Sequence, residues 1–420
     1  MKVTGIVCEY NPFHRGHAHL LEKIREKDPD TAVVCALSGG FVQRGEPAVF
    51  SASDRAEAAL VCGADLVLLL PFPWSMGPAE VFARAGTFLL RAVGCDSVAF
   101  GTEGDVLPRL QSAAARLSSQ EFEEALCRAL AEPENAGVGY PALRDRVYAS
   151  LYGAEDAELL RTPNDLLAAE YLRAAPELVP FAVPRIGDAH DGAYSENSDA
   201  ASASAVRALL RAGKTETALS LLPPASAEVF SRAIEKGNVV FPDDSPAADA
   251  LLLWHFRSHG RGELARYAGL SGGLAGRLAD AARKTSSLPE LFSLAATKKY
   301  TDAAVRRAAW YGFFGVTEEE LRTLPPFLEV LALNERGARV LHEAKRSCPV
   351  PILSRPAAYR QLDASVREQV LRSLRAEIFR GMLCRVPVTE AEFFVTVQPA
   401  FGTISPKPSL LGKGDRRSGG

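Results

Sequence analysis

The sequence predicts an α/β fold whose first half carries a parallel sheet covered by helices on both sides, followed by a mainly helical second half. Two observations carry this. Over the first hundred residues, short runs that are apolar on both faces alternate with segments of helical periodicity. Beyond the Leu221-Leu222-Pro223-Pro224 break the strand signal thins and long helical stretches take over.

The runs 3–7, 32–37, 66–70 and 97–100 are rich in Val, Leu or Ala. That is the composition of strands buried on both faces, which parallel sheets require. Segments 19–26, 53–62 and 79–93 supply the helices between them, with right-handed crossovers and a Rossmann-like arrangement. A helix follows over 164–174. The strand over 178–186 contains Pro180 and Pro184, which confines it to a sheet edge. A helix over 201–212 closes a first domain spanning 1–215. In the second domain, 216–401, helices are expected over 248–259, 262–268, 275–283, 302–314, 327–333, 337–344 and 366–380. Residues 402–420 are dominated by Gly, Pro, Ser and basic residues and are expected to form a flexible tail.

The 420 residues exceed one small module, and 47% hydrophobic with 24% charged residues excludes a disordered or fibrous chain. The longest apolar stretch, 66–73, is far short of the ~20 residues of a membrane span, and no secretory leader is recognised, so a cytoplasmic protein without a membrane partner is expected. Seven scattered cysteines without a C-x-x-C pair argue against a disulfide framework or a zinc ribbon. A net charge of −3 means that a nucleic-acid partner needs a local basic patch. Residues 255–310 offer one, with ten basic side chains, Lys298, Lys299, Arg306 and Arg307 among them, against four acidic ones. Interleaved Trp254, Tyr267, Tyr300, Trp310 and Tyr311 either stack on bases or form core, the commoner fate of aromatics at helical spacing. His255 and His259 read as a solvated helix face in preference to a metal pair.

The chemistry concentrates after the first strand, in Val7-Cys8-Glu9-Tyr10-Asn11-Pro12-Phe13-His14-Arg15-Gly16-His17-Ala18-His19-Leu20. A strand runs into an Asn-Pro turn, and His-x-Gly-His opens a helix. Backbone N–H groups and two imidazoles therefore converge at a helix N-terminus, which is an anion site. His14 and His17, three apart, face the same side and can donate to phosphate oxygens as charge builds at an α-phosphorus. Zinc is the alternative ligand for the histidines. No neighbouring Cys or acidic pair completes a ligand set, and H-E-x-x-H is absent, so no protein-held metal is expected.

The His14-x-Gly16-His17 motif resembles the HxGH signature of the nucleotidylyltransferase superfamily. Ala201-Ser202-Ala203-Ser204-Ala205-Val206-Arg207 resembles its I-S-x-[ST]-x-I-R signature, where a helix N-terminus meets the ATP phosphates; Ser202, Ser204 and Arg207 are the implied contacts, although both serines also fit an ordinary N-cap. A longer series is narrower: Glu9-Tyr10-Asn11-Pro12-Phe13-His14, Ser38 through Ala48, Ala64-Asp65-Leu66-Val67, Phe100-Gly101-Thr102-Glu103, Thr162-Pro163-Asn164-Asp165, Pro184-Arg185-Ile186-Gly187, Lys298-Lys299-Tyr300-Thr301 and Leu331 through Gly337. In this order the motifs resemble the tRNA(Met) cytidine acetate ligase family, from the first strand to about residue 400. Gly40, Leu20 and Asp165 depart from the family's pattern, and none removes a group the chemistry needs.

The resemblance implies ATP-dependent activation of acetate to acetyl-adenylate and transfer of the acetyl group to N4 of the wobble cytidine of elongator tRNA(Met). It implies an ATP site built from residues 7–20 with Gly101, Asn164, Arg185 and Ile186, His14 and His17 as the catalytic pair, and Mg²⁺ accompanying the nucleotide. Taken alone, Gly101 also reads as a turn glycine, Asn164 as an N-cap and Arg185 as a surface cation. Two rival functions remain. A small-molecule adenylyltransferase of the pantetheine-phosphate or nicotinate-mononucleotide type is disfavoured by the large helical half, and a non-catalytic RNA-binding protein by the intact His14 and His17.

Overall fold

The computed structural model describes residues 1–185, 201–241 and 245–384, and the backbone of 396–397. Ile186 and the 402–420 tail lie outside the described residues.

Strand β1 (Val3–Cys8) pairs in parallel with β2 (Ala32–Ser38), Val3 lying opposite Ala32 and Cys8 opposite Leu37. A small hairpin of β3 (Phe41–Val42) and β4 (Glu46–Pro47) follows. Strand β5 (Leu66–Leu70) extends the sheet beyond β2. Strands β6 (Ser97–Thr102) and β7 (Val179–Pro184) extend it on the other side of β1, β7 being the predicted proline-bearing edge. The chain thus builds outward from β1 in one direction and then in the other. The change of direction between β1 and β6 leaves a crevice at the carboxyl ends of these strands, where open α/β sheets bind ligands.

Two predicted elements are corrected. The helix expected over 262–268 is a single short turn, Arg261–Leu264. The apolar run 327–333 is strand β8 (Leu328–Leu333), not a helix, and it pairs antiparallel with β5. Strands β9 (Ile352–Leu353) and β10 (Thr396–Val397) join β8 in parallel, so the sheet is mixed, mostly parallel, and completed by the second half of the chain. A run this short satisfies helix and strand periodicity alike, and the open edge of β5 decides between them.

Burial follows the pleat. Every residue of β2 is buried. Val34 and Ala36 face helix α3 (Ala79–Ala92), introduced after α1 (Arg15–Lys27) and α2 (Ala52–Val61), while Val33, Cys35 and Leu37 face α1 and α2. The core on the α3 side continues into the helical half through Phe256, Leu278, Leu291 and Trp310, from helices Pro246–Ser258, Leu274–Ala282, Leu288–Ala295 and Asp302–Phe314. Trp310 and Tyr311 are therefore core residues, whereas Trp254 is exposed. His255 is buried, not solvated, with its ring against Phe256 and Phe313; burial, then His259, pushes its imidazolium down to about 4. Among the described residues, no helix is long and apolar enough to cross a membrane.

Candidate active site

The site grows from the end of β1. Tyr10 adopts a left-handed backbone (φ 47°), a conformation that costs a non-glycine residue roughly 1–2 kcal/mol. Its buried ring offsets this cost by packing on Phe13 and His17, at 4.8 and 4.7 Å between centroids, and its hydroxyl lies 3.5 Å from Cys35 Sγ. This turn delivers His14 to the N-cap of α1. The His14 Nδ1 accepts from Gly16 N–H at 3.0 Å, and the His17 Nδ1 accepts from His14 N–H at 3.2 Å. The pair forms a capping box built of two imidazoles, with ring centroids 3.8 Å apart.

This arrangement sets the tautomers. With each Nδ1 committed as an acceptor, the proton of the neutral ring sits on Nε2. Burial first, then the charges of His14 and Arg185, hold the His17 imidazolium well below the usual range, so at neutral pH His17 is a neutral Nε2–H donor. Gly16 is required by the same packing, since a Cβ there would lie 2.9 Å from His14 Cε1.

Buried arginines brace the turn. The Arg55 side chain, fully buried at the start of α2, donates to the carbonyls of Glu9, Ser38, Gly39 and Phe50, tying together the ends of β1 and β2. Arg207 donates to the Asn11 carbonyl at 2.8 Å and to Ser204 Oγ at 3.1 Å. Asn11 itself is structural, its Oδ1 accepting from Val49 N–H. The Glu9 carboxylate accepts from Gln43 N–H at 2.7 Å; burial raises its pKa, against the pull of that N–H, Arg207 and Arg55.

A cavity of about 510 Å³ opens over this turn, within the range of small-molecule sites. All of the predicted segment 7–20 lines it except Pro12, Phe13, Arg15 and Ala18. Pro12 and Phe13 are buried behind the turn, and Arg15 reaches outward to the Ser220 carbonyl. Gly101, Asn164 and Arg185 also line it. A Cβ on Gly101 would lie 3.2 Å from Arg185 Cγ, so the glycine makes room for that arginine. Asn164 donates to the Glu103 carboxylate, and Thr162, not Asn164, occupies the N-cap of helix Pro163–Ala174. Ser204 and Arg207 line the cavity, whereas Ser202 is buried beside it as the N-cap of helix Ala203–Arg211.

The predicted RNA-facing residues divide. Arg306 pairs with Glu46 and Asp302, and Arg307, at the cavity wall, donates to the Gln43 carbonyl at 3.0 Å. Both clasp the β3–β4 turn, in which Gly45 (φ 78°) passes so close to Arg306 and Arg307 that a Cβ would lie 2.7 Å from Arg307 N. Lys298 is exposed, and Lys299 donates to the Ala136 carbonyl at 2.6 Å. Sequence reasoning missed Arg55, because nothing in an amphipathic helix pattern marks a fully buried arginine. It also missed Glu80, Tyr140 and Arg144, which line the cavity from segments carrying no motif. Among the described residues, no three His, Cys, Asp or Glu side chains converge to hold a metal ion.

The model of the HIGH nucleotidyl transferase family matches residues 1–383. A tRNA(Met) cytidine acetate ligase of Syntrophotalea carbinolica is 35% identical over 364 residues, covering 84% of this chain and 85% of the relative. One from Bacillus subtilis is 29% identical over 391 residues, covering 90% and 93%. Among solved structures, Thermotoga maritima TmcAL bound with alpha-thio ATP superposes with a TM-score of 0.85 at 29% identity, covering 95% of this chain and all of that one.

Proposed function

The chain belongs to the HIGH nucleotidyl transferase family and, within it, to the tRNA(Met) cytidine acetate ligases, and we propose that its β1–α1 cavity is where ATP and acetate become acetyl-adenylate. The observation that carries this reading is the two-imidazole capping box. It sets two imidazoles, ring centroids 3.8 Å apart, at the positive end of α1 on the wall of a cavity large enough for a nucleotide.

An acetate oxygen attacks the α-phosphorus of ATP in line, and pyrophosphate leaves with the electrons of the broken P–O bond. His14 and His17 stabilise the charge developing on the α-phosphoryl oxygens; because His17 stays neutral, it does so as a hydrogen-bond donor. Arg185 and Arg207 add positive charge at the wall, and Gly101 and Asn164 border the nucleoside end. Mg²⁺ enters with ATP as part of the substrate. The acetyl group then passes to N4 of the wobble cytidine of elongator tRNA(Met), a base that the single-stranded anticodon loop can present to a pocket. The second half of the chain, with Lys298 and Lys299, serves the tRNA, and the reaction belongs in the cytoplasm, where tRNA and ATP are available.

The test is acetate-dependent exchange of labelled pyrophosphate into ATP, together with transfer of labelled acetate to elongator tRNA(Met). His17→Gln keeps an acceptor for the His14 N–H but loses the imidazole. It is expected to cut exchange about 100-fold or more while tRNA binding persists. Wild-type protein that moves no label from acetate into RNA would refute the proposal. Pyrophosphate release driven by a phosphorylated small molecule would point to the dinucleotide-forming class instead.

A further inference from the structure

One part of the cavity wall carries side chains to which the adenylylation chemistry above assigns no role. Three elements build it: the first turn of α3, carrying Glu80; the start of helix Tyr140–Tyr152, carrying Tyr140 and Arg144; and helix Pro163–Ala174. α3 packs on helix Pro163–Ala174, whose first turn also carries Asn164, whereas Gly101 and Arg185 come from β6 and the end of β7.

The polar groups on this part of the wall have spare capacity. Glu80, half-buried, makes one hydrogen bond among the described residues, a long one of 3.4 Å from the Tyr140 hydroxyl. Arg144 is only 9% exposed, and its side chain makes a single 3.3 Å bond, to Asp145, with Nε unpartnered among the described residues. A desolvated guanidinium with five donors and one partner is a recognition group awaiting acceptors. Tyr140 is 42% exposed although it belongs to this wall. The basic segment is docked beside it. Lys299 Nζ donates to the Ala136 carbonyl, and Gly139 sits so close to the Lys299 carbonyl that a Cβ would lie 2.6 Å from it. Exposed Lys298 thus lies on the segment that packs against the loop leading into Tyr140.

A carboxylate acceptor, a guanidinium donor and an aromatic face together match one base edge: an exocyclic amine that donates beside ring and carbonyl acceptors. We propose that this part of the cavity takes the acceptor cytosine, with Glu80 accepting from the N4 amine, Arg144 donating to N3 and O2, and Tyr140 stacking on the ring. This rests on the ligase reading above. In the transfer step the N4 nitrogen forms a bond to the acetyl carbonyl carbon, the bond from that carbon to the phosphate oxygen breaks, and AMP leaves with the electron pair. The N4 proton passes to the Glu80 carboxylate and from there to solvent. The exocyclic amine is a weak nucleophile because its lone pair is delocalised into the ring, so an acceptor for that proton is the group the step needs.

The experiment uses the full chain with Glu80→Gln, Tyr140→Ala and Tyr140→Phe. Glu80→Gln is expected to retain acetate-dependent pyrophosphate exchange within about twofold while acetyl transfer to tRNA falls about 100-fold. Tyr140→Ala is expected to raise the KM for tRNA about tenfold, and Tyr140→Phe to leave it near wild type. Normal transfer by Glu80→Gln, or loss of exchange in proportion to transfer, would overturn the assignment, the latter placing Glu80 with ATP or acetate. Binding of an anticodon stem-loop with C or U at the wobble position tests the pocket without adenylate chemistry. Wild type is expected to prefer C about tenfold, and Glu80→Gln to bind both alike. Equal wild-type binding of C and U refutes the pocket. A wild-type protein that discriminates C from U yet catalyses no exchange refutes acetate activation and leaves the pocket standing.

Discussion

Arg55→Met removes the brace under the turn that carries His14 without touching the cavity wall. The guanidinium is fully buried and donates to four main-chain carbonyls: Phe50 at 3.0 Å, Glu9 at 2.7 Å, Ser38 at 2.9 Å and Gly39 at 2.6 Å. Each carbonyl left without a donor costs about 1–3 kcal/mol. Relief of a buried cation offsets part of that loss; burial already pulls the Arg55 pKa down to about 10. A net destabilisation of about 3–5 kcal/mol is expected. With an unfolding entropy of about 2.1 cal/mol/K per residue, a chain of this length loses about 3–6 °C in Tm. Because two of the four carbonyls end β1 and β2, pyrophosphate exchange should also fall at temperatures where the variant is still folded. Differential scanning calorimetry alongside the exchange assay reads both. A Tm within 1 °C of wild type with unaltered exchange would show that these carbonyls find other donors and that Arg55 does not set the turn.

Gly16→Ala places a methyl 2.9 Å from His14 Cε1 and 3.2 Å from its Nδ1, so the ring must swing off the cap. Exchange is expected to drop about 10- to 100-fold while Tm moves by less than about 2 °C, because alanine favours the helix; a crystal structure of the variant checks the ring position. Glu329 has its pKa pushed up to about 8, first by burial and then by the charge of Glu377, so the folded protein holds a proton that the unfolded chain releases near 4.5. The stability this proton contributes is full below pH 4.5 and is lost as pH rises through 8. Glu329→Gln should therefore match wild type near pH 4.5 and melt higher than wild type at pH 9, which a Tm series across pH reads directly; parallel curves would refute the shifted carboxyl.

Much of the site was legible because its chemistry is local in sequence. The strand, the turn and the His-x-Gly-His helix start lie within twenty residues, and a capping box needs only residues three apart. What the histidines do with their Nδ1 atoms was not legible, since it depends on the dihedral angles of one turn. Of the two roles the sequence leaves open for Ser202, the N-cap is the one its burial shows, and Arg306, expected to face RNA, is paired with Glu46, 260 residues away in the chain. Contacts of that separation leave no periodic trace.

By itself the sequence determined the doubly apolar strands β1, β2, β5 and β6, the helices between them and the His-x-Gly-His opening of α1, because alternation, periodicity and capping are properties of neighbouring residues. Only the tertiary structure decided that Leu328–Leu333 is a strand, that the sheet is mixed, and that Glu80, Tyr140 and Arg144 meet in one cavity. A short apolar segment takes whichever form its neighbours leave open. Which groups share a pocket is settled by packing between segments that the chain order keeps apart.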